Sequence, residues 1–392
     1  MSDFLLGDCQ ELERKGLVSI AKRLEWEDAL RGGGDGRERV LKEVREAFRR
    51  ELDDAIEQTR VQQNELHQSS LQQSDLVAVA AGGLLGALNA WMRTPTPTPT
   101  VAAKPKTTMW ASAFDAAQAS LNVVRQRRSL DHLHIQHLHG DESRADHVLL
   151  CINGFMTQGG DPNKNWASWG RDDPRVVMYA VLWEAGDVNA WNEFCAHANE
   201  NIATSTAHDL LTHFTGNPWH KAQDKAEQVG IVLARVLASR PSFCRGRKLS
   251  LLGHSLGGAV IYSTLQELAR LRQEGSLIGE PLVQNALFFA GAFVLTPKGL
   301  TCMGQEVSRS GKVINIFSRR DDVLSKLFWV IQLHGNDPVA AGCAPIDYCG
   351  VVQHGVNVEV SDLVPPRVPN QFGHSYGPHM DSIRARVLPH VN

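Results

Sequence analysis

The sequence predicts an α/β fold built on a mostly parallel sheet, covered by helices and preceded by a helical N-terminal region. Three observations carry this. From residue 147 onward, short apolar β-rich runs alternate with helical stretches, and strands that are apolar throughout belong to parallel sheets buried on both faces. One such run passes straight into Gly253-His254-Ser255-Leu256-Gly257-Gly258 and then into a helix. Ahead of them, from Asp35 to Leu66, a charged segment carries Val40, Val44, Phe48, Leu52 and Ile56 at every fourth position, which sets one apolar stripe along a helix.

In chain order, Met1 to Gly16 carries Asp3, Asp8, Glu11 and Glu13 and lacks the basic start and apolar run of a secretory signal. The helix of residues 35–66 leads to the longest apolar stretch, Leu76 to Met92, which is interrupted by Asn89 and by Gly82, Gly83 and Gly86. It lies at the bottom of the range of lengths that cross a bilayer as a helix, so it reads as a buried or interfacial helix able to make peripheral membrane contact, with a membrane span or re-entrant insertion as the alternative. Alternating Thr and Pro from Thr94 to Thr100, then Lys104-Pro105-Lys106, form an extended spacer, because repeated prolines exclude a helix. The expected organisation is therefore a helical region over 1–92, a linker over 93–107 and a main domain over 108–392, entered by a short helix from about Ala111 to Arg128.

Within the main domain, strands are expected at His147–Ile152, Arg175–Trp183, Lys248–Leu252, Gln284–Ala290 and Lys312–Phe317, with helices around Ala222–Ser239 and Gly258–Gln273. Such a sheet binds ligands at the carboxyl ends of its strands.

Composition narrows the partners. The chain has 392 residues, 43% of them hydrophobic, and a formal net charge of -3. That balance gives no basic surface for nucleic acid or for an anionic membrane held by bulk charge. Seven scattered cysteines fit reduced thiols better than a disulfide framework. A cytoplasmic or peripheral-membrane location is expected, and a signal-peptide-independent export route is compatible with the same features.

The chemistry concentrates around Ser255. A serine at a sharp strand-to-helix turn has strained backbone, and Gly253 and Gly257 remove the side chains that would collide there. Ser255 then stands at a helix N-terminus, where the N–H of Leu256 can bind an oxyanion. A serine hydroxyl needs a base, and the base an orienting carboxylate, in the chain order serine, acid, histidine. The acid should follow a strand. The loop Ser318-Arg319-Arg320-Asp321-Asp322 does, with Asp321 preferred and Asp322 the alternative. For the base, His374 in Phe372-Gly373-His374-Ser375-Tyr376 precedes a final helical stretch, Met380 to Val387, with His379 as runner-up and His354 and His390 less well placed. A second oxyanion donor is expected from Asn153-Gly154-Phe155-Met156-Thr157, the loop after the first core strand. Phe155 N–H is preferred and Met156 is the fallback, and the Phe155 ring is also expected to line an acyl pocket.

These residues support a family resemblance. Leu150 to Phe155, Trp166 and Trp169, Tyr179 to Glu184, Gly253 to Gly258, Asn315 to Leu324, Ala340 to Ile346 and Gly373 to Tyr376 together resemble lipase-like α/β-hydrolases related to transmembrane and coiled-coil domain protein four. The likeness covers roughly residues 147 to 388. It implies an α/β-hydrolase fold and a triad of Ser255, Asp321 and His374. The chain departs from the family's eukaryotic members, which carry clear transmembrane helices, in offering only residues 76–92.

Two other clusters invite a role. His132, His134, His137, His139 and His147 crowd the segment before the first strand, but no cysteine or close carboxylate completes a metal set. Alternate histidines on an exposed edge strand explain them, and no metal or cofactor is expected. Glu184, at a strand end, is expected to be a loop hydrogen-bond partner. The sequence thus points to cleavage of a carboxylic ester, lipid-like in character, by an acyl-enzyme route. An acyltransferase or thioesterase with the same triad, and a non-catalytic interaction protein on the same frame, are the alternatives.

Overall fold

In the computed structural model the described residues are 2–32, 35–69, 128–171, 173–186, 189, 218–325, 339–348, 350–365 and 373–391. The apolar stretch 76–92, the linker 93–107 and nearly all of the 111–128 segment lie outside them.

Among the described residues, seven strands form one sheet: β1 (Leu133–His139), β2 (His147–Ile152), β3 (Val176–Trp183), β4 (Lys248–His254), β5 (Asn285–Phe289), β6 (Val313–Phe317) and β7 (Gly355–Glu359). Their spatial order is β1-β3-β2-β4-β5-β6-β7. Only β1 is antiparallel to its neighbour, with Leu133 opposite Trp183. All other pairings are parallel. The expected α/β architecture on a mostly parallel sheet is therefore present. β2, β4, β5 and β6 are almost wholly buried along their length, as a sheet covered on both faces requires.

The helices are α1 (Ser2–Arg14), α2 (Ile20–Gly32), α3 (Asp35–Ser69), the single turn α4 (Asn163–Trp166), α5 (Pro218–Ala238), α6 (Leu256–Gln273), α7 (Pro297–Glu306) and α8 (Met380–Val391). One face of the sheet receives α6, flanked by α5 and α7. On it Phe288 packs on Phe293, with ring centroids 5.1 Å apart. The next residue, Phe289, points to the opposite face and meets Trp166 and Trp169 edge-on, each at 5.5 Å. The period-two alternation of a strand separates the two sets.

The stripe on α3 serves two cores. Val40 and Val44 join Cys9, Leu12 and Trp26 in a small cluster with α1 and α2, while Leu52 and Ile56 join the main core. Polar bonds tie α3 further: Asn64 exchanges hydrogen bonds with the backbone of Leu130, and Gln63 donates to Gln228 of α5 at 2.9 Å.

Two elements, β7 and α7, are not predicted from the sequence, while α1 and α2 fall inside the region expected to be helical without being delimited there. β7 is a short edge strand with one buried residue among five, so it carries almost no apolar pattern. α7 starts on a Thr296 cap whose hydroxyl accepts from Gly299 N at 3.0 Å, a signal available in Thr-Pro but weak alone. α1 and α2 depend on mutual packing and on α3 more than on propensity.

Candidate active site

β4 ends at His254 and α6 begins at Leu256, so Ser255 alone makes the turn. Its backbone sits at φ 56° and ψ -120°, a conformation that costs a non-glycine residue about 1–3 kcal/mol and that persists only when its surroundings impose it. They do so here. Ser255 N donates to Phe289 O at 2.9 Å, and Ser255 O accepts from Ala292 N at 3.0 Å and Gly258 N at 2.9 Å. A Cβ on Gly253 would stand 2.4 Å from Gly257 O, and one on Gly257 would stand 2.1 Å from Ile152 O. The glycines two before and two after the serine are thus required by contact.

Three side chains from separate loops meet at this turn. His374 Nε2 lies 2.9 Å from Ser255 Oγ, and His374 Nδ1 lies 2.7 Å from Asp321 Oδ2. Asp321 is buried, at 1% exposure, and its second oxygen, Oδ1, accepts from Leu324 N at 2.9 Å. The carboxylate therefore orients the imidazole with one oxygen and caps the helical turn after β6 with the other. Of the sequence alternatives, Asp322 is not the carboxylate at the imidazole, and His379 lies in a 3-10 turn (Gly377–His379) leading to α8. Gly373 brings the histidine loop onto the acid loop: at φ 72°, its missing Cβ would stand 2.1 Å from Arg320 O.

The loop after β2 closes on the same turn. A Cβ on Gly154 would stand 2.5 Å from Ser255 Cβ and 3.0 Å from Leu256 N, so this backbone lies directly against the start of α6. Its anchors were not legible in the sequence. Asn153 Oδ1 accepts from Asn165 Nδ2 and from Trp166 Nε1, both at 2.8 Å, and Asn153 O accepts from Trp183 Nε1 at 3.0 Å. Thr157 Oγ1 donates to Gly154 O at 2.6 Å. The fallback donor Met156 gives its N–H to Ala185 O at 3.0 Å, so that group is already engaged. The Phe155 ring meets the buried Trp219 edge-on at 5.3 Å, and the absent Cβ of Gly186 would stand 2.7 Å from it.

Burial shifts three ionisable groups near the acid. Burial and the Asp321 charge push the Cys343 thiol up to about 12, and burial, with Asp321 and Cys343, raises the Tyr376 phenol. Burial beside His374 pushes His254 down to about 3.

The remaining predicted residues go to separate partners. His134 Nδ1 faces Asp53 Oδ1 at 3.0 Å, His137 Nε2 bonds Gly140 O at 3.1 Å and His147 Nε2 meets Ser250 Oγ at 2.8 Å. Among the described residues, no group of His, Cys, Asp and Glu is arranged to hold a metal ion. Glu184 accepts from Asp131 N at 2.8 Å and pairs with the buried Lys225 of α5.

Residues 209–371 match the family described as a protein of unknown function, DUF726, a span that holds Ser255 and Asp321 and ends before His374. An uncharacterized membrane protein of Schizosaccharomyces pombe is 29% identical over 56% of this chain and 29% of its own length. A protein named probable lipase from Saccharomyces cerevisiae is 31% identical over 47% of this chain and 18% of its own length. A transmembrane and coiled-coil domain-containing protein of Oryza sativa subsp. japonica is 31% identical over 55% of this chain and 33% of its own length. The matched stretch is thus a third or less of each relative. Among the described residues of this chain, no helix is long and apolar enough to cross a membrane. The chain is similar to a family of unknown function and to a small set of proteins that includes one named a probable lipase.

Proposed function

We propose that this chain is a serine ester hydrolase of the α/β-hydrolase class. The observation that carries the reading is the pair of hydrogen bonds through His374, 2.9 Å to Ser255 Oγ and 2.7 Å to Asp321 Oδ2, on a serine held at φ 56°. Nucleophile, base and orienting acid in that succession are what an acyl-transfer site needs.

In this reading Ser255 Oγ attacks the ester carbonyl as His374 Nε2 takes its proton. Asp321 holds the imidazole in the tautomer with hydrogen on Nδ1 and stabilises the imidazolium that forms. The oxyanion is bound by the N–H of Leu256, the first residue of α6, where helix N–H groups have no intrahelical acceptor. The N–H of Phe155, on the peptide that follows Gly154, is the second donor. His374 then protonates the departing alkoxide, and water attacks the acyl-enzyme by the reverse sequence, restoring Ser255. No cofactor enters these steps.

A lipid-like acyl group is the proposed substrate class, supported by the apolar sequence neighbours of Gly154 and Ser255, namely Phe155, Met156 and Leu256, and by the relative named a probable lipase. Membrane-associated relatives support substrate capture at a membrane surface, with residues 76–92 as the proposed peripheral contact. The test is a panel of p-nitrophenyl esters of increasing chain length, phospholipid vesicles and acyl thioesters. Ester hydrolysis that rises with chain length and vanishes in Ser255→Ala supports the reading. Turnover of thioesters alone, or acyl transfer in preference to hydrolysis, would replace it.

A further inference from the structure

His254 immediately precedes Ser255 and has no part in the chemistry described above. Its direction is set by the strand. Gly253 faces α6, where a Cβ would stand 2.7 Å from Ile261 Cδ1, so the alternation of β4 turns His254 to the other face of the sheet. There it pairs in register with Phe289 and meets the loop that carries His374. Its Nε2 lies 3.0 Å from the carbonyl oxygen of His374. A carbonyl can only accept, so His254 donates, which fixes its hydrogen on Nε2.

We propose that His254 is a positioning residue for this site: its Nε2–H holds the backbone of His374 at a set distance from the turn that carries Ser255. The inference rests on the serine hydrolase reading. The bond joins residue 254 directly to residue 374, so nucleophile and base are tied by one side chain as well as by their own contact. Without it, the histidine loop is located by Gly373 against Arg320 O and by the bond from the imidazole to Asp321. Both restrain His374 relative to the acid; on the serine side the loop also packs Gly377 on Asn165, whose side chain bonds Asn153, and the His254 bond is the one that joins the strand leading to Ser255 to the backbone of His374 itself. A misplacement of about 1 Å at a reacting group costs on the order of 10²-fold in rate.

The environment keeps the donor in the right form. The ionisable groups facing His254 are His374, ring centroids 5.1 Å apart, and Tyr376, 5.5 Å away, with Asp321 beyond His374. Tyr376 is fully buried, and its hydroxyl has no hydrogen-bond partner among the described residues. In this apolar box His254 stays neutral, so it adds no positive charge beside the imidazolium that must form on His374. A lysine or arginine there could also donate to the carbonyl, but its charge would oppose that protonation.

The experiment compares the full chain with His254→Gln, His254→Asn and His254→Leu. Glutamine places an amide N–H near the position of Nε2, asparagine places it short, and leucine has no donor. The readouts are the rate of Ser255 labelling by a fluorophosphonate, kcat and KM on a p-nitrophenyl ester, and the melting temperature. The expected result is a fall in kcat of about 10- to 100-fold in His254→Asn and His254→Leu, with KM held within about twofold, and recovery in His254→Gln to within about fivefold of wild type. Full activity in His254→Asn and His254→Leu overturns the inference while leaving the hydrolase reading intact. So does a His254→Gln protein as slow as His254→Leu at equal stability, since that marks a space-filling role. If His254→Leu does not fold, the asparagine and glutamine variants decide. A folded wild type that resists labelling overturns both.

Discussion

The α-carbon of Gly257 faces the carbonyl oxygen of Ile152 so closely that a Cβ would stand 2.1 Å from it. The first turn of α6 is thereby pressed onto the end of β2, the strand that leads into Asn153 and Gly154. The contact joins the serine turn to the loop proposed to complete the oxyanion site. Gly257→Ala has no flexible side chain to displace, only backbone at the centre of the sheet. It is expected to cost about 3 kcal/mol or more and to disorder the site. Urea unfolding monitored by circular dichroism, with ester hydrolysis alongside, checks this; a stable and active Gly257→Ala protein would mean that the packing is looser than described.

Strain at Ser255 predicts a trade of stability against activity. Glycine adopts positive φ without the Cβ penalty, so Ser255→Gly should be more stable than wild type by about 1 kcal/mol, after the entropy glycine loses on folding is set against the strain it relieves. It should have no hydrolase activity. Equal or lower stability in thermal unfolding would argue that the turn is not strained.

Two adjacent carboxylates separate cleanly. Asp321→Asn keeps an oxygen to cap Leu324 N but cannot hold the imidazole in the tautomer needed, so kcat should fall about 10³- to 10⁴-fold with little loss of stability. Asp322→Asn should stay within about threefold of wild type. Steady-state kinetics on one ester distinguish them, and the reverse ranking would transfer the acid role to Asp322.

Acid sensitivity follows from His254. Burial lowers it from the ordinary 6.5 to about 3 in the folded chain. Above 6.5 it is neutral in both folded and unfolded states and its contribution is fully present. As pH falls below 6.5 the unfolded chain takes a proton that the folded chain refuses until about pH 3, so stability is lost progressively across that window. His139 and His147 are lowered by burial as well, and they act equally in wild type and variant. Melting temperature should therefore decline less in His254→Gln than in wild type between about pH 6.5 and pH 4. Parallel declines would place the protonation elsewhere.

Much of this was legible in the residues. β2, β4, β5 and β6 announce themselves as apolar runs because both their faces are covered, and the helix of residues 35–66 announces itself through Val40, Val44, Leu52 and Ile56 because one stripe is buried. Ser255, Asp321 and His374, which the structure brings within hydrogen-bond distance of one another, could be proposed as a set because each sits where chain order and strand ends allow it. β7 was not legible, since an exposed edge strand has little apolar pattern to read. Nor were the bonds that Asn153, Trp166, Trp183 and His254 make around the candidate site. These bonds join segments distant in sequence, such as His254 to His374, and single-sequence periodicity carries no information about such pairs. Which of Asp321 and Asp322 lies against the imidazole depends on the direction of a side chain, which adjacent identical residues do not reveal.

The central claim is that Ser255 is a nucleophile activated through His374. Its most direct test is intact-protein mass after exposure to a fluorophosphonate, followed by peptide mapping. The account predicts one adduct on Ser255 in the wild type, none in Ser255→Ala, and strongly slowed formation in His374→Ala. A folded wild type that gains no mass, or an adduct that persists in Ser255→Ala, would contradict it.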